Sequence, residues 1–248
     1  MKKIVLVCFS VSVSTFSYGQ FNRGGEKISE GLAWGQWDGL AIAQTRRFQK
    51  DQDHLENSHT FVQGSPYYDR TFQKAEVTYY DKIIPQDIYL RYNANTDELE
   101  MSFYQHRGET DQMLLPDTEL KATIGSETFY FRPYYSNTKN TTVANGYFIK
   151  LTEGHPYQLY LKKTKVFREA KVAKTSLERS FPARFEEKIE FYTQKDAGIL
   201  TEIKASKSSL TKVIGKKIVA EIFKNTPSNQ ISDQEFLIRF FKKLNTSK

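Results

Sequence analysis

Histidine is the first residue type to consider, because its imidazole serves as a general base and as a metal ligand near neutral pH. The chain has four histidines. His54 and His59 lie five residues apart with Asp51 and Asp53 nearby, a set that could begin a metal site. The stretch is polar throughout, which is more typical of a solvated loop. We therefore predict no metal site, no cofactor and no catalytic histidine.

Carboxylates are the second candidates, because a pair of them can act as the acid and the base of a hydrolase. Two groups stand out in the sequence: Asp97, Glu98 and Glu100, and Glu186, Glu187 and Glu190. Glycoside hydrolysis needs two carboxylates about 5–9.5 Å apart across a cleft, one of them with a raised pKa. Both groups alternate with apolar residues, which favours the water-facing side of a strand. The sequence also has no G-x-S-x-G, HExxH or P-loop. A hydrolase with an unrecognised carboxylate pair is therefore an alternative rather than the favoured function.

Tyrosine is the residue type best suited to binding, because its side chain is amphipathic, and the chain has 15 of them. On the concave face of a sheet they could line a surface for a small amphipathic ligand such as a lipid or a sugar. Tyrosines are equally typical of the rim of any antiparallel sheet. The possible binding surface comprises Tyr89, Arg91, Tyr92, Asp97, Tyr130, Tyr147 and Tyr157.

The N-terminus predicts export. Lys2 and Lys3 precede an apolar run that ends at small residues, which is the pattern of a signal peptide cleaved before Gln20. The single cysteine, Cys8, lies inside this segment, so the mature chain would have neither a disulfide nor a reactive thiol. We expect a periplasmic or cell-surface location and no transmembrane span.

Charge is distributed unevenly along the chain. Residues 20–154 carry 19 acidic and 14 basic side chains, whereas residues 155–248 carry 10 acidic and 20 basic ones. The basic C-terminal half permits a weak contact with an anionic surface, although a solvated lysine-rich face is the simpler interpretation. Export disfavours nucleic acid as a partner. The expected partner is an envelope protein or a small amphipathic ligand.

The elements that would position these residues are mostly strands, because apolar and polar residues alternate from residue 71 onward. Residues 93–97 predict a turn between two strands whose apolar faces coincide, and Gly125-Ser126 suits a type II′ turn. Pro133 is predicted to end the next strand, before a polar loop. Matching faces across the following hairpin requires a five-residue loop, residues 152–156.

The C-terminal part of the β region begins with lysines and is followed by helices. Lys162, Lys163 and Lys165 are predicted to blunt an edge strand. Ser208 or Ser209 could cap a first short helix, and a capping box beginning at Ser232 predicts another. We divide the chain into a signal peptide (1–19), a polar, tryptophan-containing segment (20–63), an antiparallel β domain (64–205) and helices packed on the sheet (206–248). A short helix starting near Gln36 or Asp38 is one interpretation of the second segment, and an irregular segment that packs its tryptophans on the sheet is the other.

Three phrases of the sequence are distinctive: G-S-P-Y at residues 64–67, L-R-Y-N at residues 90–93 and D-E-L-E at residues 97–100. With these phrases the chain resembles a family of uncharacterised exported proteins of Gram-negative bacteria. The resemblance extends over residues 64–244 and implies an envelope or periplasmic location. It implies no known activity and no catalytic residue.

These observations together predict an α+β fold, in which antiparallel β hairpins form a bent sheet or open barrel with two or three short C-terminal helices. The preferred function is that of a non-catalytic periplasmic or cell-envelope binding or scaffold protein. The alternatives are the small-ligand binder with a tyrosine-rich face and the hydrolase.

Overall fold

Short antiparallel connections dominate the path of the chain. The computed structural model describes residues 43–45, 62–105, 112–137, 139, 141–175, 177–224 and 231–246, which all belong to one unit, Ala41–Lys248. The predicted signal peptide, the predicted helix near residues 36–38, and His54 and His59 lie outside the described residues. Residues 43–45 form a strand that the sequence did not predict.

In the part of the chain that the structure describes, twelve strands form a single sheet. They are β1 Ala43–Thr45, β2 Gln73–Tyr79, β3 Lys82–Ile83, β4 Ile88–Asn93, β5 Glu98–Ser102, β6 Gln112–Leu114, β7 Leu120–Ile124, β8 Glu127–Tyr135, β9 Val143–Lys150, β10 Tyr157–Arg168, β11 Arg184–Lys195 and β12 Thr201–Ile203. Their order is β1-β6-β5-β4-β2-β7-β8-β9-β10-β11-β12, with β3 beside β2. All of these neighbours are antiparallel, and the linear order leaves the sheet open.

The two predicted hairpins are confirmed. In the β4–β5 hairpin, Leu90 pairs with Met101 and Tyr92 with Leu99, and all four side chains are buried. In the β7–β8 hairpin Gly125 has a φ of 59°, the left-handed value that a type II′ turn requires of its first central residue. In both hairpins the turn residues and the hydrophobic alternation specify the same register, so the register could be predicted from the sequence.

The prediction that Pro133 ends a strand is wrong. β8 continues to Tyr135, and Pro133 pairs with Asn145 of β9. The Pro133 carbonyl accepts a hydrogen bond of 3.1 Å from Leu200 N–H, so it points away from β9. The N–H and C=O of a strand residue point to the same side, so the N–H that proline lacks would not have bonded to β9. β7 pairs with β8 only as far as Tyr130, so no ladder bond to β7 is lost there. The polar loop consequently shortens to residues 136–142.

The predicted five-residue loop between β9 and β10 is also wrong. Leu161 pairs with Ile149 and Leu151 N–H donates to Leu159 O, a register two residues away from the predicted one. The backbone of Tyr157 is occupied elsewhere: Asn245 Nδ2 donates to its carbonyl at 2.7 Å and Asn245 Oδ1 accepts from its N–H at 3.3 Å. A C-terminal helix therefore replaces β9 as the partner of this residue.

The long β10–β11 hairpin, which we call the arm, bends back across the first strands. Its strands pair over twelve residues, from Tyr157↔Lys195 to Arg168↔Arg184. Near its far end Lys165 N–H donates to Ala94 O at 2.9 Å, and Gln63 bonds to both Ala183 and Phe185 of the arm. The sheet is therefore bent until strands distant in sequence meet, and the predicted fold class is confirmed.

The predicted edge role of Lys162, Lys163 and Lys165 is wrong for this reason. β10 has β11 on one side, and on the other it meets first β9 and then the turn around Ala94. Lys162 and Lys165 are each only 7% exposed. Both buried lysines have carboxylate partners, Asp97 and Glu187 respectively, as buried charges require.

Three helices follow the sheet among the described residues: α1 Lys207–Ile214, α2 Lys216–Lys224 and α3 Asp233–Thr246. The cap of α1 is Ser206, whose side chain accepts from Ser209 N–H, rather than Ser208 or Ser209. Ser232 caps α3 as predicted, accepting from Glu235 N–H at 3.2 Å. The helices bury apolar faces against Tyr157 and Leu159 of the arm. None of the described helices is long and apolar enough to cross a membrane.

Candidate functional site

One buried polar cluster, the Arg91 cluster, is formed by Arg91, Glu100, Tyr67 and Asn93. Arg91 donates to Glu100 through Nε at 3.0 Å and through Nη2 at 2.5 Å. The side chains of Arg91 and Glu100 are only 9% and 2% exposed. Tyr67 Oη and Asn93 Nδ2 also donate to Glu100, at 3.0 and 3.1 Å. The carboxylate thus has three separate donors, which stabilise its charged form.

Aromatic rings complete the surroundings of Arg91. Its guanidinium lies 4.0 Å from the ring centroid of Tyr67 and 4.5 Å from that of Phe72, within the range of cation–π attraction. Nη1 donates to the Arg70 carbonyl at 2.9 Å. The segment before β2 therefore covers this ion pair, which sequence analysis placed on a water-facing strand surface.

A second cluster, the Asp97 cluster, is formed by Asp97, Lys162, Tyr92 and Tyr147. Lys162 Nζ lies 2.5 Å from Asp97 Oδ2. Asp97 Oδ1 accepts from Tyr92 Oη at 2.7 Å and from Tyr147 N–H at 3.3 Å. Burial, with Asp97 as a further cause, raises the pKa of Tyr92 well above its usual value. Tyr92 therefore stays a hydrogen-bond donor at neutral pH and fixes the β4–β5 turn to the arm.

The predicted water-facing position of the first carboxylate group is wrong for Glu100 and incomplete for Asp97. Glu100 is 1% exposed because Arg91, Tyr67 and Asn93 surround its carboxylate. Asp97 is half-buried against Lys162. In the second group, Glu187 and Glu186 are more exposed than Asp97, as expected, whereas Glu190 is largely buried.

The seven residues of the predicted binding surface do not form one surface. Tyr147 is opposite Phe131 and Tyr130 is opposite Phe148, and because successive residues point to opposite faces, Tyr130 and Tyr147 lie on different sides of the sheet. Tyr92, Asp97 and Tyr147 meet in the Asp97 cluster. The other four residues lie elsewhere. Arg91 belongs to the Arg91 cluster, and Tyr89 is half-buried on β4. Tyr130 packs on Tyr160, and Tyr157 is buried against the helices.

A small cleft lies between these clusters. Its volume is about 80 Å³. The lining residues include Arg91 and Tyr92 from the predicted binding surface, and Tyr68, Glu127 and Lys163, which are not in that set. Sites for drug-sized ligands measure about 300–1,000 Å³, so this cleft accommodates a few waters, a small ion or one end of a larger molecule.

Tyr68 is the most distinctive group of the cleft. Its hydroxyl is buried and has no hydrogen-bond partner among the described residues. Lys165 Nζ lies 4.2 Å from its ring centroid, and Lys163 Nζ lies 5.3 Å from it. Burial, together with Glu187 and Glu127, raises the pKa of Tyr68 to about 12. The hydroxyl is therefore a proton donor at neutral pH and could donate a hydrogen bond to an entering acceptor.

Two carboxylates, Asp69 and Glu127, also line the cleft. Hydrogen bonds from the Thr71 side chain and backbone lower the pKa of Asp69, and Glu127 forms an ion pair with Lys163 at 2.5 Å. A general acid needs a raised pKa, whereas the surroundings of Asp69 lower its pKa. They therefore do not favour Asp69 as the acid of a hydrolase. In the described part of the chain no three histidine, cysteine or acidic residues are grouped in a way that could hold a metal ion.

Comparison with models of known protein families, with curated proteins and with solved structures finds no match to this chain. The arguments for function consequently rest on its own residues.

Proposed function

We propose that the chain is an exported, non-catalytic binding or scaffold protein of the cell envelope. The observation that carries this proposal is that the carboxylates Glu100 and Asp97 are bound by neighbouring side chains of the same chain. Glu100 is held by Arg91, Tyr67 and Asn93, and Asp97 by Lys162 and Tyr92. These contacts stabilise the bent sheet, and a reaction at either carboxylate would require some of them to be lost.

The location is supported by the sequence. The basic start, the apolar run and the small residues before Gln20 have the order of a signal peptide. The phrases at residues 64–67, 90–93 and 97–100 resemble those of exported proteins. A partner would meet large exposed side chains such as Tyr80 and Tyr104, which are 60% and 69% exposed.

Binding of a small ligand in the cleft is a second candidate, favoured by the unpartnered Tyr68 hydroxyl. With a volume of about 80 Å³, the cleft suits a small acceptor such as a carboxylate better than a whole lipid or sugar. The hydrolase alternative would use Asp69 and Glu127, and the lowered pKa of Asp69 argues against it. Substrate turnover that Glu127→Gln abolishes would favour the hydrolase over both binding functions.

Two experiments test the proposal. Cell fractionation with N-terminal sequencing should find the chain in the envelope or periplasm and starting at Gln20; a cytoplasmic product that retains Met1 would contradict export. A photoreactive residue should then be placed at Tyr80 or Tyr104, with exposed Lys242 of α3 as the matched control. A discrete adduct with one envelope protein from either tyrosine position, and none from position 242, supports the scaffold role. Absence of adducts from both tyrosine positions contradicts it.

A further inference from the structure

The arm ends in an ordered projection, which we call the tip loop and define as residues 169–183. Lys171 and Phe181 exchange two backbone hydrogen bonds of 2.8 Å. Beyond them Ala173 N–H donates to Ser180 Oγ at 2.9 Å, and Glu178 N–H donates to Thr175 O at 3.2 Å. These hydrogen bonds join the two sides of the loop, and the chain reverses direction near Leu177.

Three large apolar side chains of the tip loop are exposed. Leu177 is 96% exposed, Val172 76% and Phe181 47%. Single exposed apolar residues are ordinary on protein surfaces. Here Leu177 lies near the point of reversal, and Val172 and Phe181 lie in the two segments that lead to it. Such a concentration of apolar groups is typical of an interaction site.

Cationic side chains surround these apolar groups. Residues 168–184 carry five basic side chains, Arg168, Lys171, Lys174, Arg179 and Arg184, against the acidic Glu169 and Glu178. Arg168 and Arg184 share Glu186, and Lys171 lies 3.9 Å from Glu178. Lys174 and Arg179, which flank Leu177 in sequence, have no ion-pair partner in the described part of the chain. Their charge is available to an external anion.

We propose that the tip loop docks on an anionic phospholipid surface, with Leu177 and Val172 entering the headgroup region and Lys174 and Arg179 contacting lipid phosphates. Apolar groups accompanied by cations are the combination that binds at such interfaces. Specific protein interfaces bury about 800 Å² on each side, whereas a lipid surface is bound by a few apolar side chains with cations beside them. The proposed envelope role determines only which membrane the loop would meet in the cell; the binding of the loop to anionic lipid does not depend on that role.

Vesicle flotation of the mature chain tests the proposal directly. Vesicles of phosphatidylcholine alone are compared with vesicles that also contain phosphatidylglycerol. The wild type should bind the mixed vesicles, and binding should weaken as salt is added, because exposed charges are screened. Lys174→Ser/Arg179→Ser should bind mixed vesicles about thirtyfold more weakly. Leu177→Ser should weaken binding about tenfold, because partial burial of a leucine is lost.

Matched controls separate the tip loop from a general effect of basic charge. Lys216→Ser/Lys217→Ser removes two exposed cations of α2, and Ile83→Ser removes an apolar side chain that is 58% exposed. Both should retain binding within about threefold, since neither position lies in the tip loop. All four variants change exposed residues, and equal melting temperatures check that the fold is retained.

Leu177→Trp supplies an independent readout. Its fluorescence should be quenched by brominated lipid in mixed vesicles, whereas Ile83→Trp should show no added quenching over wild type. The proposal is overturned if the wild type ignores mixed vesicles at low salt, if the α2 control loses as much binding as Lys174→Ser/Arg179→Ser, or if Leu177→Ser binds normally. Because vesicle binding does not require export, its outcome is distinguishable from failure of the proposed cellular role.

Discussion

The Arg91 cluster permits a quantitative test of what holds the bent sheet. In Glu100→Gln the guanidinium of Arg91 stays buried but loses the negative charge of Glu100 beside it. Removing one member of a buried ion pair costs about 3–5 kcal/mol of the free energy of unfolding. The Gln amide oxygen still accepts one hydrogen bond, so we expect about 3 kcal/mol, more than a hundredfold in the folding equilibrium.

An exposed ion pair of the same sheet is the matched control. Lys74 and Asp87 lie 2.7 Å apart with side chains that are 67% and 70% exposed. Water screens such a pair, so Asp87→Asn should cost about 0–1 kcal/mol. Urea unfolding curves of the wild type and both variants, followed by circular dichroism, give the two differences.

A double-mutant cycle, built from the single variants Arg91→Met and Glu100→Met and from the double variant, then separates the charge from its surroundings. In Arg91→Met/Glu100→Met neither charge is buried alone, but Tyr67 and Asn93 lose an acceptor, at about 1 kcal/mol each. The double variant should therefore be more stable than the sum of the single ones predicts, by at least about 2 kcal/mol. The reasoning is refuted if Glu100→Gln costs no more than Asp87→Asn.

Three further predictions concern other parts of the fold. Burial raises the pKa of Tyr160 from 10.0 to about 12. Between these pH values the folded state keeps the proton and the unfolded chain loses it, so the free energy of unfolding should fall as the pH rises. Urea unfolding at each pH should show a less steep fall for Tyr160→Phe. Asn245→Ala removes both bonds to the Tyr157 backbone and should cost about 1–3 kcal/mol, measured by the same unfolding curves; an unchanged midpoint would contradict the register argument for β10. Ser206→Ala should cost about 1 kcal/mol as a lost helix cap, whereas Ser208→Ala should leave the thermal midpoint unchanged.

Local patterns allowed much of the fold to be predicted. The β4–β5 and β7–β8 hairpins depend on turn residues and alternation within about fifteen residues, which the sequence displays directly. The capping box at Ser232 is likewise local. The register of β4 and β5 also places Arg91 directly opposite Glu100, so this ion pair was available from the sequence.

Burial of the charged residues could not be predicted in the same way. Nothing near Lys162 in sequence indicates that Asp97 will lie beside it, because their contact depends on the arm crossing the β4–β5 turn. Isolated strand patterns place lysines and carboxylates on a wet face by default. The tyrosines were assigned to one concave surface for the same reason, since the sequence does not show which face of each strand is covered.

The crossing of the arm has a consequence for how quickly the protein reaches its native state. The hydrogen bond from Tyr92 Oη to the Lys163 carbonyl joins residues 71 positions apart, and the bonds of Gln63 to the arm join residues still farther apart. Closing loops of this length before the contacts form slows folding, because contact order limits its rate. The early hairpins can form while the chain is incomplete, but the Asp97 cluster must wait for β10.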